Sequence, residues 1–500
     1  SNQSPIITDR SFTERPLSTF ESFMIPYTVS YTAITKGHMF EKECLQKSYL
    51  ATCNRFPLLR CNVMKNQEGK LTLSEIQNYN RPVRMIPTDS EDYWKTVVNQ
   101  FIEKEIEQRS YPLYSDSNLF ELIVCQSKQS SALILRYSHI IADGRSGSLL
   151  VHTILDYYSK FYNGASYDIT KEGFSSMPFP DCQEKQTFPE GPSSKERENI
   201  DILCKEIIEK RNKFDLTANY YVEDIDPRSL NRAKKKHTHK IPCNVCYFEG
   251  TVENYNKNKA LCKEKGFTMG NLSFALSLFS SARVSSNKNS KKQQDSEEKE
   301  ITDHQDEDFR STLMIVADLR PRLELKLENV FNGISFMDIE QVIPKSMTLI
   351  DLVRSVSLYT ETYSDKKNFH YYIEAIQKLD YTDPLFQEAL KRNNHVQKDI
   401  HLSNLGKHPF PNRFTLKQTL NNLKEVNKKG EGSEEELLVE KLFCAATPWD
   451  SNLGVFLVEM LTVEFMTYGF VNSGGLNNKK NNEELGRSFT FLCENFHRYS

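Results

Sequence analysis

The chain has 500 residues, 38% hydrophobic and 11% aromatic, which is enough apolar material for packed domains and too much for a disordered chain. Its 64 basic residues against 67 acidic ones leave a formal net charge of −3, so no broad basic face is implied and nucleic acid is argued against as a partner. The length suits two or three packed units.

Helical periodicity marks residues 40–53, with Phe40, Cys44, Tyr49 and Leu50 available to one face. Asn54-Arg55-Phe56-Pro57 stops that helix, and residues 58–63 read as a strand. A longer helix is expected over 91–108. Two apolar runs, 120–125 and 132–137, flank the polar 126–130 in a hairpin pattern. A sharp turn at 139–144 leads into a helix at 146–162, where Leu149, Leu150, Thr153, Ile154, Tyr157 and Phe161 carry the spacing. Residues 164–192 change to Gly, Ser, Pro and charge, the text of a long surface connection. A charged helix at 195–213 and a basic run at 232–240 follow.

A second compact unit begins near Ile241, with a strand at 246–250 and a helix at 269–282. Residues 285–308 are low in complexity and rich in Asn, Lys, Gln, Glu and Asp, as in a disordered insertion. Beyond them a buried strand is expected at 312–318, helices at 349–362 and 371–379, strands at 438–447 and 455–463, and an amphipathic helix at 484–497. The two halves share one strand–helix grammar. The expectation is a mixed α/β protein of two similarly built lobes, 1–165 and 241–500, joined by a crossover at 166–240.

The 11 cysteines show no repeating spacing, and residues 1–19 lack a basic stretch followed by an apolar one. No run reaches the ~18 apolar residues that cross a bilayer; Glu459, Glu464 and Gly469 interrupt the longest, 453–470. The reading is a cytoplasmic protein with reduced thiols, soluble or at most peripheral to a membrane.

Tyr137-Ser138-His139-Ile140-Ile141-Ala142-Asp143-Gly144 carries the strongest chemical signal. A histidine closes an apolar strand, and a glycine soon after it allows a tight turn into the next helix. An imidazole so placed presents one ring nitrogen to a cleft while the backbone fixes the other. Its ordinary pKa near ~6.5 suits proton abstraction at neutral pH. Asp143 reads as structural, a carboxylate that pairs with an arginine and holds the loop. A bare H-x-x-x-D is more often a core histidine beside a helix-start aspartate than a catalytic site. The strand before, the glycine after and the helix beyond shift the balance toward catalysis.

His139-x-x-x-Asp143-Gly144-Arg145-Ser146, within residues 133–147, resembles the active-site motif of the chloramphenicol acetyltransferase-like superfamily. It is most similar to that of the fungal alcohol acetyltransferase branch and the related sphingoid- and myriocin-type N-acetyltransferases. Three further segments agree in order. Phe56-Pro57-Leu58-Leu59-Arg60 resembles the family's helix-to-strand passage. Ala317-Asp318-Leu319-Arg320, followed by Val330-Phe331-Asn332-Gly333, resembles its central strand and asparagine–glycine turn. Leu402-Ser403-Asn404-Leu405-Gly406 resembles its late strand. Arg15-Pro16-Leu17-Ser18-Thr19-Phe20-Glu21 follows the branch's opening only loosely, and the insertion before Arg310 is longer than is usual there.

The resemblance implies a two-lobed chloramphenicol acetyltransferase-like fold, each lobe a mixed sheet flanked by helices, with an active-site tunnel between them. CoA enters that tunnel from one face and the acceptor from the other. It implies an acetyl-CoA-dependent acyltransferase without a metal, in which His139 deprotonates the acceptor and the acceptor attacks the thioester directly. Asp143 then anchors the loop through Arg320, with Gly144 supporting the turn. Ser403, Asn404, Asn332 and Thr268 belong to the substrate tunnel, and Asn332, Thr268 or a backbone N–H supplies the oxyanion donor.

The implied acceptor is the hydroxyl of a small or lipophilic alcohol. The alternative is the amine of a long-chain amino alcohol or sphingoid-like compound, acylated in detoxification. A thioester hydrolase and a non-catalytic binding protein of the same fold are further alternatives. The implied working form is a cytoplasmic monomer, peripheral at most to the endoplasmic reticulum or lipid droplets.

Other signals rank lower. His237, His239, Cys243 and Cys246 offer four zinc ligands at a spacing unusual for a structural site. Asp450-Ser451-Asn452-Leu453-Gly454 reads as a hairpin turn. Lys234-Lys235-Lys236 reads as a solvated loop, with CoA phosphates or an anionic membrane as the lesser alternative. In the last helix Phe489, Leu492, Cys493 and Phe496 share one side, suited to packing on the body.

Overall fold

The computed structural model describes residues 13–498, apart from 77–78, 108–114, 167–174, 214–243, 296–307, 379–397, 418–433, 447–452, 462–464, 473–478 and the single positions 26, 116 and 345. The first part of the chain supplies β1 (Glu14–Pro16), β2 (Thr28–Lys36), β3 (Cys61–Lys65), β4 (Leu71–Glu75), β5 (Arg84–Pro87), β6 (Phe120–Gln126) and β7 (Ser130–Ser138). The rest supplies β8 (Asn244–Thr251), β9 (Phe309–Asp318), β10 (Ile334–Ile343), β11 (Lys398–Lys407), β12 (Arg413–Lys417), β13 (Glu434–Ala446), β14 (Leu453–Leu461) and β15 (Phe465–Asn472).

Two six-stranded mixed sheets flanked by helices make the two lobes, in the orders β12-β13-β2-β7-β6-β5 and β10-β9-β11-β14-β15-β8. A three-stranded sheet, β1-β4-β3, accompanies the first. The hairpin pattern at 120–137 is the β6–β7 pair, with Phe120 opposite Tyr137. β7 lies between β2 and β6 and is buried throughout, which is why its residues 132–135 are apolar in succession rather than in alternation.

The first sheet is completed from far along the chain. β13 pairs antiparallel with β2, and β12 with β13. Without them the edge of β2 would present unpaired backbone groups. The boundary between the two sheets therefore does not coincide with the chain division near residue 241.

Four local expectations need correction. Residues 57–60 form a 3₁₀ turn rather than the start of a strand, because Pro57 fixes the backbone and Leu59 N–H bonds the Phe56 carbonyl at 3.1 Å; the strand begins at Cys61. The connection at 164–192 is not wholly superficial. It carries the helix Gln183–Thr187, whose Gln183 and Glu184 are buried. Gln183 Nε2 bonds the Ile334 carbonyl, and Glu184 Oε1 accepts from Phe20 N–H at 3.0 Å. The helix expected at 269–282 continues to Asp295, so the polar segment opens as its extension, while 296–307 lie outside the described residues. The final helix is Lys479–Asn495, followed by the 3₁₀ turn Phe496–Arg498. There Phe489 packs edge-on against Tyr468 and Phe470, with Leu492 and Phe496 buried beside it.

The basic run at 232–240, three of the four zinc candidates (His237, His239 and Cys243) and Asp450-Ser451-Asn452 lie outside the described residues. Among the described residues no helix is long and apolar enough to cross a membrane.

Candidate active site

β7 ends at Ser138 and delivers His139 to the junction of the two lobes. The His139 N–H bonds the Tyr27 carbonyl at 2.8 Å. Its own carbonyl accepts from Asn332 Nδ2 at 2.9 Å. The first contact comes from its own lobe and the second from the other, so the backbone is clamped from both sides.

The imidazole is half-buried, and its buried Nδ1 has no partner on another of the described residues. Burial pushes the His139 pKa below its ordinary 6.5; the Asp143 charge and the ring's contact with its own carbonyl oppose this. The ring is accordingly neutral at pH 7. A proton on Nδ1 directed at that carbonyl leaves the lone pair on Nε2.

Asp143 makes no use of solvent. It caps the helix Gly144–Tyr162 by accepting from Ser146 N–H at 2.8 Å. The same carboxylate receives Arg320 Nη1 at 2.8 Å, Arg320 Nη2 at 3.2 Å and Gly333 N–H at 2.8 Å. Burial alone would push this carboxyl up, but the guanidinium and the two backbone donors outweigh it, and its pKa falls below the usual value.

Arg320 is equally committed. It also bonds Asp318 Oδ1 at 3.0 Å, Ser146 Oγ at 3.0 Å and the Phe331 carbonyl at 2.9 Å, with the Phe331 ring 4.2 Å from its guanidinium carbon. Ser146 Oγ donates to the same Phe331 carbonyl at 2.8 Å. This knot ties the start of one lobe's helix to the β9–β10 connection of the other.

Small residues let the lobes close. A Cβ on Gly144 would sit 2.7 Å from Leu405 Cδ2, and one on Gly333 would sit 3.0 Å from Arg320 Nη1. Arg145 reaches across to the Leu405 and Lys407 carbonyls at 2.6 and 3.2 Å. Further along the helix, Gly147 passes so close to Tyr31 and Tyr137 that neither ring leaves room for a methyl group. Tyr137 Oη meanwhile bonds the Asp143 carbonyl at 2.9 Å.

The structure thus brings together His139, Asp143, Gly144, Arg320 and Asn332. One N–H of the Asn332 amide is committed to the His139 carbonyl, which makes it a clamp as well as a candidate donor. Thr268 is exposed and caps the helix Met269–Asp295, accepting from Asn271 N–H at 3.1 Å. Ser403 is buried within β11, in register with Val316 and Val458. Asn404 lines a pocket whose walls include Arg145, Asp318 and Leu405 but not His139, and there its Nδ2 donates to Glu459 at 2.7 Å. Sequence reasoning missed Ser146 as a member of the knot and Glu459 as a pocket group. The available signal for Glu459 was a carboxylate inside an otherwise apolar strand.

A profile of the condensation domain family matches residues 18–176, the span that includes His139 and Asp143. No curated protein sequence matches the chain. Among solved structures it is similar to trichothecene 15-O-acetyltransferase from Fusarium sporotrichioides, at 11% identity and a TM-score of 0.65, covering 97% of this chain and 96% of that one. It is also similar to polyketide synthase associated protein 5 from Mycobacterium tuberculosis, at 12% identity and a TM-score of 0.61, covering 97% and 99%. The first condensation domain of the calcium-dependent antibiotic synthetase gives 10% identity and a TM-score of 0.61, covering 97% and 96%. At such identities the likeness is one of fold, the two-lobed architecture of condensation domains and chloramphenicol acetyltransferase-like acyltransferases.

Proposed function

We propose that this protein transfers an acyl group from a CoA-type thioester to a nucleophilic acceptor, with His139 as general base. In its specific form the donor is acetyl-CoA and the acceptor an alcohol, as in the fungal alcohol acetyltransferases. The observation that carries the reading is the setting of His139: a neutral imidazole at the lobe junction, clamped at its N–H and its carbonyl, beside a carboxylate paired with Arg320. A free carboxylate there would pair with the imidazolium and hold its proton. Bound to Arg320, Asp143 orders the loop, and its pull on the His139 proton is outweighed by burial, which leaves the pKa below its ordinary value.

The step balances simply. The acceptor oxygen bonds to the thioester carbonyl carbon as its proton passes to Nε2 of His139. The tetrahedral intermediate then collapses, the C–S bond breaks, and the imidazolium returns the proton to the departing thiolate. The oxyanion needs a donor; Asn332, with its second amide N–H, is the nearest such group to the His139 backbone among the candidates. An amine acceptor would follow the same path, but its neutral nitrogen is already nucleophilic and depends less on the base.

Thiol release from acetyl-CoA, measured with alcohol and amine panels for wild type and His139→Ala, tests the proposal. Release should depend on the acceptor and fall by about 10²–10⁴-fold in the variant, less with an amine. Release independent of any acceptor would point to hydrolysis, and a variant as active as wild type would remove His139 from the chemistry.

A further inference from the structure

The second lobe holds a pocket of about 560 Å³, lined by residues of the helix Met269–Asp295 and of β9, β11, β14 and β15. That volume suits a ligand of moderate size. Leu272, Phe274, Ile315 and Met466 give it apolar walls. Set among them is Glu459, only 1% exposed.

A carboxylate taken out of water needs a counter-charge or several donors. Among the described residues Glu459 has only neutral ones, the Asn404 amide at 2.7 Å and the Ser273 hydroxyl. Among the described residues no cationic side chain pairs with it. Tyr255, Tyr468, Cys493 and Glu494 also line this pocket, and none brings positive charge. Glu494 is itself held by Thr251 N–H, Thr251 Oγ1 and Asn254 Nδ2. The remaining charged lining groups are Arg145, Arg322, Asp318 and Lys407. Arg145 and Arg322 are engaged with Asp318, through its carboxylate at 3.6 Å and its carbonyl at 2.8 Å respectively. Lys407 is exposed, and burial pushes the Glu459 carboxyl up to about 7 against the two neutral donors.

We propose that this pocket binds a ligand bearing an ammonium group on an apolar body, the ammonium pairing with Glu459. The ligand supplies the charge that the protein omits, while its body covers the apolar walls. A nitrogen held this way keeps its proton and has no lone pair. It anchors the ligand and is not the atom that attacks an acyl donor.

Pairing draws Glu459 to its ionised form, so binding expels a proton from whatever fraction of Glu459 is neutral. The affinity for an amine therefore rises with pH. It should increase about tenfold from pH 6 to pH 8, following the ionised fraction of a carboxyl titrating near 7.

Isothermal titration calorimetry of the full chain with n-octylamine and its neutral isostere n-octanol tests this, without an acyl donor. Wild type should prefer the amine, Glu459→Gln should lose at least about tenfold for the amine and little for the alcohol, and buffers of differing ionisation enthalpy should reveal proton release at pH 6.5. Equal binding of amine and alcohol by wild type, amine binding without a proton released, or undiminished amine binding by Glu459→Gln would each overturn the proposal. The pH and buffer comparisons use wild type alone, so they decide the matter even if the variant folds poorly. Binding is read here and turnover is not, so this inference and the acyl-transfer reading fail separately.

Discussion

Replacing Arg320 with methionine probes the knot between the lobes. Asp143 is fully buried and Arg320 is 2% exposed. Without the guanidinium, the Asp143 carboxylate keeps only the Ser146 and Gly333 N–H groups, in a site with no access to water. Removing one partner of a buried pair costs about 3–5 kcal/mol. The reverse change is milder. In Asp143→Asn, Arg320 retains the Asp318 carboxylate at 3.0 Å, Ser146 Oγ and the Phe331 carbonyl, so a cost of about 2 kcal/mol is expected.

The cost of losing Arg320 depends on pH. In wild type the Asp143 pKa is depressed, so its stabilising contribution is present above the unfolded value and lost only as pH falls through the folded one. In Arg320→Met, burial is no longer opposed by the guanidinium and the carboxyl titrates above its ordinary value. The cost of the variant is then greatest at pH 8 and shrinks toward pH 5 as the stranded carboxylate takes up a proton. Urea unfolding followed by circular dichroism at both pH values, with the double variant closing the cycle, measures these differences. A cost under about 1 kcal/mol at pH 8, an Asp143→Asn variant worse than Arg320→Met, or a cost that does not shrink in acid would refute the reasoning.

Because burial lowers the His139 pKa, the acid limb of the kcat/KM profile should lie below pH 6.5; Asp143→Asn, which removes a charge that raises that pKa, should move it lower still. Gly147→Ala would place a methyl 2.4 Å from Tyr31 Cδ2 and 2.6 Å from Tyr137 Oη, both in the core, and should destabilise by about 1–3 kcal/mol in thermal unfolding. Gly144→Ala meets only the flexible end of Leu405 and should cost less. Asn332→Ala removes the clamp on the His139 carbonyl together with the proposed oxyanion donor, so activity should fall about 10²–10³-fold with the circular dichroism spectrum unchanged; unchanged activity would remove Asn332 from both roles.

Elements held by local forces were readable before any tertiary contact was known. The helix Gly144–Tyr162 announces itself through its apolar spacing and its capping aspartate, and β7 through the apolar run at 132–135. The resemblance named Arg320 as the partner of Asp143, a relation that no periodicity could supply across 177 residues. Where a proline reset the backbone, as at Pro57, local pattern alone mistook a 3₁₀ turn for a strand.

The sequence by itself determined many of the helices and strands, where their apolar faces lie, and that a histidine ends a buried strand before a glycine turn. Only the tertiary structure decided that β12 and β13 return to complete the first sheet, that Asn332 clamps His139, and that Glu459 faces a pocket with no counter-charge among the described residues. Secondary structure repeats over a few residues and is written in their order. Burial and charge pairing depend on which distant segments meet, and that is fixed when the whole chain packs.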